Sequence, residues 1–162
     1  MGFWIFTGKG SLIIFVADPR FFILLQLIIY MVTPSFFEYE ITVLPEHLDS
    51  LGHVNNVVYV QFMQDIANKH WNSRPSSELH EHLLWVVRRH EIDYLASAFL
   101  NDILLIRTWT GEHSAVTWNR HCEIIRVSDQ KKIISSKSVW VLVDKLTWKP
   151  KRIDQQMLNR FV

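Results

Sequence analysis

With one cysteine, Cys122, the chain has no intramolecular disulfide. The place of that cysteine among alternating strand residues predicts a buried, inert thiol, which fits a reducing cytosol. Net charge is nearly absent too. Seventeen Lys and Arg against sixteen Asp and Glu leave +1, which removes any global pull toward nucleic acid or acidic lipid. Long unbroken apolar runs are missing. "SLIIFVA" and "FFILLQLIIY" are split by "DPR"; a bilayer span needs about 20 apolar residues and each central charge costs roughly 2.5 to 3.5 kcal/mol, so a single membrane helix is not expected. A secretory signal would need a basic start, a continuous apolar middle and a small-residue cleavage site, and only Lys9 and "LIIFVA" approach it. The acyl-anchor pattern fails because Phe6 stands where Ser or Thr is required. Repeats, low-complexity tracts and interdomain linkers are lacking after Met31, so a chain of 162 residues is expected to form one domain.

What is present falls into two unequal parts. Residues 1–30 carry one Lys, one Arg and one Asp, whereas all eight histidines lie downstream. This break sets residues 1–30 apart as an apolar extension and residues 31–162 as the single domain. Met31 is the expected functional start, with the preceding segment a mis-assigned start; a membrane-contacting leader is the alternative.

From Met31 on, the pattern predicts one helix and a sheet. "FFEYEITV", residues 36–43, alternates Phe37, Tyr39, Ile41 and Val43 with polar residues, as a half-buried strand does. From Asn56 to about Trp71, Val57, Val60, Met63, Ala67 and Trp71 recur at helical steps and are expected to form the buried stripe. Pro75 stops the helix. "LLWVVRRHEIDYL", "DILLIRTWTGE", "AVTWNRHCEIIRV" and "KIISSKSVWVLVD" are rich in β-branched and aromatic residues and read as strands. The short connections among the last three predict an antiparallel meander, and the tail offers one helical turn. Only one long amphipathic helix is available to cover the sheet. The expected class is therefore α+β, a five-stranded antiparallel sheet curled around one long central helix, the layout of the hotdog fold. Seven Trp, ten Phe and two unprotected sheet edges suggest pairing of subunits.

The string "LDSLGHVNNVVY" sets Asp49, Gly52, His53, Val54, Asn55, Asn56 and Tyr59 at the entrance of that helix. In this order, and with "WVVRRHEIDYL", "LNDILLIRTW" and "WVLVD" downstream, the chain resembles the acyl-CoA thioesterases of the 4-hydroxybenzoyl-CoA thioesterase type over roughly residues 36–153. The resemblance implies thioester hydrolysis of acyl-CoA to free acid and coenzyme A. It needs no cofactor and no metal, and it implies a homodimer or homotetramer in the cytoplasm. Two positions depart from the family pattern: His47 stands two residues before Asp49 where an acid is frequent, and Gln64 occupies another acidic position, although Asp65 is adjacent.

The chemistry of such a reaction assigns roles. The first amides of a helix lack partners and carry the positive end of its dipole, so they can hold a carbonyl oxygen as it becomes negative. The resemblance places that donor at the Asn56 backbone amide. Asp49 is the candidate nucleophile or general base, and His53 and Asn55 complete the catalytic set. Gly52 is expected to let the loop pass close to substrate, Tyr59 to touch the pocket wall, and Arg88, Arg89 and His90 to receive phosphates, with Lys149, Lys151 and Arg152 as further basic candidates.

Plainer readings stand beside these. Asp49 could brace its own turn, Asn55 could only cap, His53 could be a solvated loop residue and Tyr59 could simply pack. "HEH" at residues 80–82 lacks the spacing that places two imidazoles on one helical face. A non-catalytic acyl-CoA binder on the same scaffold is the competing function. A hotdog dehydratase ranks last, because the G-D-x-N-P-x-H type of string is missing.

Overall fold

The computed structural model describes residues 7–8, 11–12, 35–74 and 81–161. The chain divides into two units, Met1–Pro34 and Ser35–Val162. In the first, Thr7–Gly8 pairs antiparallel with Ser11–Leu12; the rest of the expected extension, and His80 of "HEH", lie outside the described residues.

The second unit runs β1 (Phe37–Thr42), α1 (Asn56–Ser73), β2 (Leu83–Tyr94), β3 (Ile103–His113), β4 (Thr117–Arg126), β5 (Lys131–Asp144) and α2 (Gln155–Phe161). The strand order is β1-β3-β4-β5-β2, with every neighbouring pair antiparallel. The meander of β3, β4 and β5 is therefore as the short connections predict. β1 and β2 are the edges. The helix ends at Ser73, one residue before Arg74 leaves helical geometry at φ −120° and ψ 72°, as a proline at the next position requires.

The helix sits differently from its expected rotation. Its buried residues are Tyr59, Phe62, Met63, Ile66, Ala67 and His70, while Val57 is 73 % exposed and Val60 and Trp71 are only partly covered. Of the expected stripe, only Met63 and Ala67 are buried. Apolar residues occupy more than half of the helix circumference, so their period was readable and the phase was not. The phase adopted buries the larger set, Phe62, Ile66 and Tyr59, and area removed from water decides. These side chains join Leu104, Ile106, Ile124 and Ile134 from the sheet in one cluster, so the sheet wraps α1. A second cluster forms where α2 closes the far end: Trp118, Leu142, Ile153, Met157 and Phe161, with Trp71 and Trp85 against them. Asp154 Oδ1 accepts from the Met157 amide at 2.8 Å and caps α2.

One irregularity lies on the β2 edge. Val87 pairs with Trp140 and Arg89 with Val139, which leaves Arg88 as the extra residue of a β-bulge.

Candidate active site

Residues 47–55 form a small hairpin that delivers the chain to α1. The Asn55 amide donates to His47 O at 2.9 Å and the Asp49 amide to His53 O at 2.8 Å, with Leu48 and Val54 bridged between them. Opposed residues of an antiparallel pair share a face. Asp49 and His53 thus stand together, while Val54 is buried and Leu48 packs on the core.

Two lone-pair acceptors on one side chain divide the roles open to Asp49. Its Oδ1 accepts from Leu51 N at 2.9 Å and His53 N at 3.2 Å, closing a turn in which Gly52 N also donates to Asp49 O at 3.1 Å. Asp49 Oδ2 forms no hydrogen bond among the described residues. Gly52 has φ +77°, and a Cβ built there meets nothing within 4 Å. The left-handed backbone favours glycine here, and no protein atom lies within reach of a Cβ at this position.

Asn55 caps the helix: its Oδ1 accepts from Val57 N at 3.0 Å, and its carbonyl accepts from Val58 N at 2.9 Å. The amide that precedes both of these, that of Asn56, has no partner among the described residues. It is the first amide of an 18-residue helix, where the dipole is positive, and Asn56 is exposed. The remaining expected residues frame this end. Tyr59 is 2 % exposed, and its hydroxyl accepts from the buried Ala98 amide at 3.2 Å; burial raises its pKa above 10.0. Ala98 O accepts in turn from Val54 N at 2.9 Å, so Tyr59 clamps the loop after β2 onto the hairpin. His53 meets Phe99 edge to face at 5.2 Å. Tyr94 OH approaches Asn56 O at 3.5 Å.

Arg88, Arg89 and His90 stand apart from this group within one copy of the chain. They lie four to six residues before Tyr94 on β2, about 13 to 20 Å along an extended strand. Arg89 pairs with Glu91 at 2.8 Å and His90 Nδ1 meets Ser138 Oγ at 2.8 Å, with burial lowering the His90 pKa. Lys149, Lys151 and Arg152 are exposed. At the family's acidic positions, His47 Nδ1 accepts from Leu44 N at 3.0 Å, Gln64 reaches Asn68 at 3.4 Å, and Asp65 accepts from Gln61 at 2.8 Å. Cys122 is buried, as expected, and burial raises its thiol pKa to about 12. Among the described residues, no group of His, Cys, Asp and Glu could hold a metal ion, and no helix is long and apolar enough to cross a membrane.

A polar cluster that the sequence reading did not single out lies at the other end of α1. Arg120 Nη1 donates to His70 Nδ1 at 3.0 Å and Thr108 Oγ1 at 3.2 Å. His70 is 3 % exposed and stacks on Phe37 at 5.1 Å. Burial first, then Arg120 and Arg74, lower its pKa to about 3, so it is a neutral acceptor. Arg120 lines a cavity of about 170 Å³ with Ala67, Trp71, Trp85, Trp118 and Trp140. Ala67 and Trp71 are 11 and 15 residues beyond Asn56, about 16 to 22 Å along the helix, so this cavity is distinct from the Asp49 turn. A signal for it exists in the sequence: Trp118, Cys122 and Ile124 face inward on β4, and strand alternation puts Arg120 on the same side.

Comparison with known proteins places the chain. Residues 35–161 match the family model described as acyl-ACP thioesterase N-terminal domain. No curated protein matches. Among solved structures, the 1,4-dihydroxy-2-naphthoyl-CoA thioesterase from Synechocystis is 18 % identical, with TM-score 0.68 over 78 % of this chain and 95 % of that one. A hypothetical protein from Staphylococcus aureus in complex with CoA is 14 % identical, with TM-score 0.71 over 78 % and 82 %. The 12:0-ACP thioesterase from Umbellularia californica is 16 % identical, with TM-score 0.68 over 77 % of this chain and 49 % of that one. At such identities the structural likeness establishes the hotdog fold, as the order of strands and helix implied. With the family match extending from Ser35 to Phe161, the chain belongs to the acyl-ACP thioesterase N-terminal domain family and is a thioester hydrolase.

Proposed function

We propose that this protein hydrolyses acyl-CoA to a free acid and coenzyme A at the entrance of α1. The observation that carries the reading is the Asn56 amide, without a partner among the described residues, at the positive end of an 18-residue helix, beside a turn whose aspartate keeps Oδ2 without a hydrogen bond to any described residue. The amide stabilises the carbonyl oxygen as it gains charge. Asp49 serves the carbon by one of two routes. In the first, Oδ2 attacks, the thiolate leaves and takes up a proton, and water opens the resulting mixed anhydride. In the second, Oδ2 takes a proton from a water that attacks the carbonyl carbon directly, and as the C–S bond breaks the departing thiolate receives that proton. His53 and Asn55 act as positioning residues, one on the shared face of the hairpin and the other through the cap. Gly52 and Tyr59 shape the entrance.

Coenzyme A is the proposed carrier, with Arg88, Arg89 and His90 as candidates for its phosphates. The family's name supplies acyl carrier protein as the competing carrier. Because those basic residues lie far from Asn56 within one copy, a homodimer or homotetramer paired through the open β2 edge is part of the proposal: a second copy supplies the strand that the edge lacks. A cytoplasmic location is proposed with it, membrane contact through residues 1–30 being the less favoured alternative.

Thiol release from short, long and aromatic acyl-CoAs and from acyl-ACP tests the reading, with Asp49→Asn as control. Asparagine keeps an oxygen that can accept from Leu51 and His53 amides, so the turn survives while the carboxylate goes. Turnover is expected to fall ~10²-fold or more with an unchanged melting temperature. Full activity in Asp49→Asn would refute the assignment. The bracing of Asp49 Oδ1 favours a second reading, an acyl-CoA binder without turnover, which the wild-type protein would reveal by binding acyl-CoA and releasing no thiol.

A further inference from the structure

The cavity at the C-terminal half of α1 holds a cation, Arg120, that has no counter-charge in contact among the described residues. Arg120 forms no ion pair among the described residues, where the four basic partners in ion pairs are Arg89, Arg107, Arg126 and Lys132. Its contacts, His70 Nδ1 and Thr108 Oγ1, use Nη1 alone. The Nε and Nη2 groups have no hydrogen bond with any described residue, yet they are not sealed away: the single sealed side-chain nitrogen without a partner, among the described residues, is Trp140 Nε1. These two groups are therefore not fully sealed, and Arg120 and Trp140 both line the cavity.

Withdrawing a cation from water without a counter-charge is costly, and the setting holds this one firmly. Thr108 is fully buried and its hydroxyl donates to His121 O at 2.7 Å, which turns a lone pair toward Arg120. Burial lowers the Arg120 pKa to about 10, so the charge persists at neutral pH. The walls are Trp71, Trp85 and Trp118. Phe161 is stacked on Trp71 at 5.4 Å, and its carbonyl accepts from Thr110 Oγ1 at 2.8 Å, which fastens the end of α2 over this region.

We propose that this cavity binds a compact hydrophobic carboxylate, its two oxygens on the Nε and Nη2 fork of Arg120 and its apolar body between the tryptophans. A planar two-oxygen anion matches a guanidinium fork. The cavity, about 170 Å³, is smaller than the roughly 300 to 1,000 Å³ of sites for drug-sized ligands, which selects a small acid. The proposal stands independently of the hydrolytic reading, although hydrolysis of an acyl thioester releases molecules of this kind.

The test measures binding without turnover. Octanoate and benzoate, each against its neutral amide, are titrated into the intact protein while its tryptophan fluorescence and heat of binding are followed. Each acid is expected to bind at least tenfold more tightly than its amide, and Arg120→Gln is expected to abolish that preference. Equal affinity for acid and amide, no binding of either acid at millimolar concentration, or a preference that survives in Arg120→Gln would overturn the proposal. Should Arg120→Gln fail to fold, the comparison of acid with amide on the unsubstituted protein decides.

Discussion

Tyr59→Phe isolates the clamp behind the candidate site. The substitution keeps the ring and removes one oxygen, the acceptor for the Ala98 amide at 3.2 Å. Ala98 is fully buried, so water does not replace the hydroxyl, and a buried donor left without an acceptor costs about 1 to 3 kcal/mol. Unfolding entropy of about 2.1 cal/mol/K per residue, over the roughly 130 residues of the second unit, converts about 2 kcal/mol into a fall in Tm of about 7 °C. Urea and thermal unfolding followed by circular dichroism measure it. Because Ala98 O accepts from Val54 N at 2.9 Å, loosening this loop also loosens the hairpin that carries Asp49, and kcat should fall with stability. Tyr94→Phe is the control: its hydroxyl is exposed and 3.5 Å from Asn56 O, and its loss should change stability by less than about 0.5 kcal/mol. Equal stability of Tyr59→Phe and wild type would refute the clamp.

Three further outcomes follow from the same geometry. Asn55→Ala removes the acceptor for Val57 N and should lower unfolding free energy by about 1 kcal/mol in urea titration, with a larger loss in kcat as the Asn56 amide shifts. Gly52→Ala meets no atom but is strained at φ +77°, so it should cost about 1 to 2 kcal/mol, whereas Gly52→Asn, better tolerated in that region, should cost less; equal costs would contradict a purely backbone requirement. His70 should give an acid-sensitive stability. Its pKa falls from 6.5 in the unfolded chain to about 3 in the folded one, so between these values the unfolded state binds more protons. Stability is then full above about pH 6.5 and declines on acidification by about 1.4 kcal/mol per pH unit; His70→Gln, which retains an acceptor for Arg120, should flatten that slope in urea titrations across pH.

The elements of the fold were legible because their signals are local. β1 alternates Phe37, Tyr39 and Ile41 with polar residues, and its exposure alternates likewise. The end of α1 is dictated by the proline that follows Arg74, and the meander by connections too short for anything but hairpins. The rotation of α1 was not legible, because Val57 and Val60 are as apolar as the residues that won the core. At the helix entrance, the sequence named the residues that gather there, Asp49, Gly52, His53, Asn55 and Asn56, but not that Oδ1 alone of the two Asp49 oxygens braces the turn. The Arg120 cluster required the register: β3 and β4 pair Thr110 with Arg120, and only α1 lying across them brings His70 to Arg120, 50 positions away in sequence.

The bulge at Arg88 works as a frame correction. In an unbroken strand, side chains two apart share a side, so Trp85 and Val87 would place Arg89, Glu91 and Asp93 on the inner face. The inserted position advances the count by one, and His90 and Ile92 turn inward, Ile92 onto the main core and His90 onto Ser138. A strand that kept Arg88 but paired it without a bulge would carry three charges toward α1 and leave Ile92 in water. The arginine next to Val87 thus stands outside the alternation, where many side chains could serve, and its deletion would leave Val87–Trp140 and Arg89–Val139 as successive pairs of an unbroken ladder.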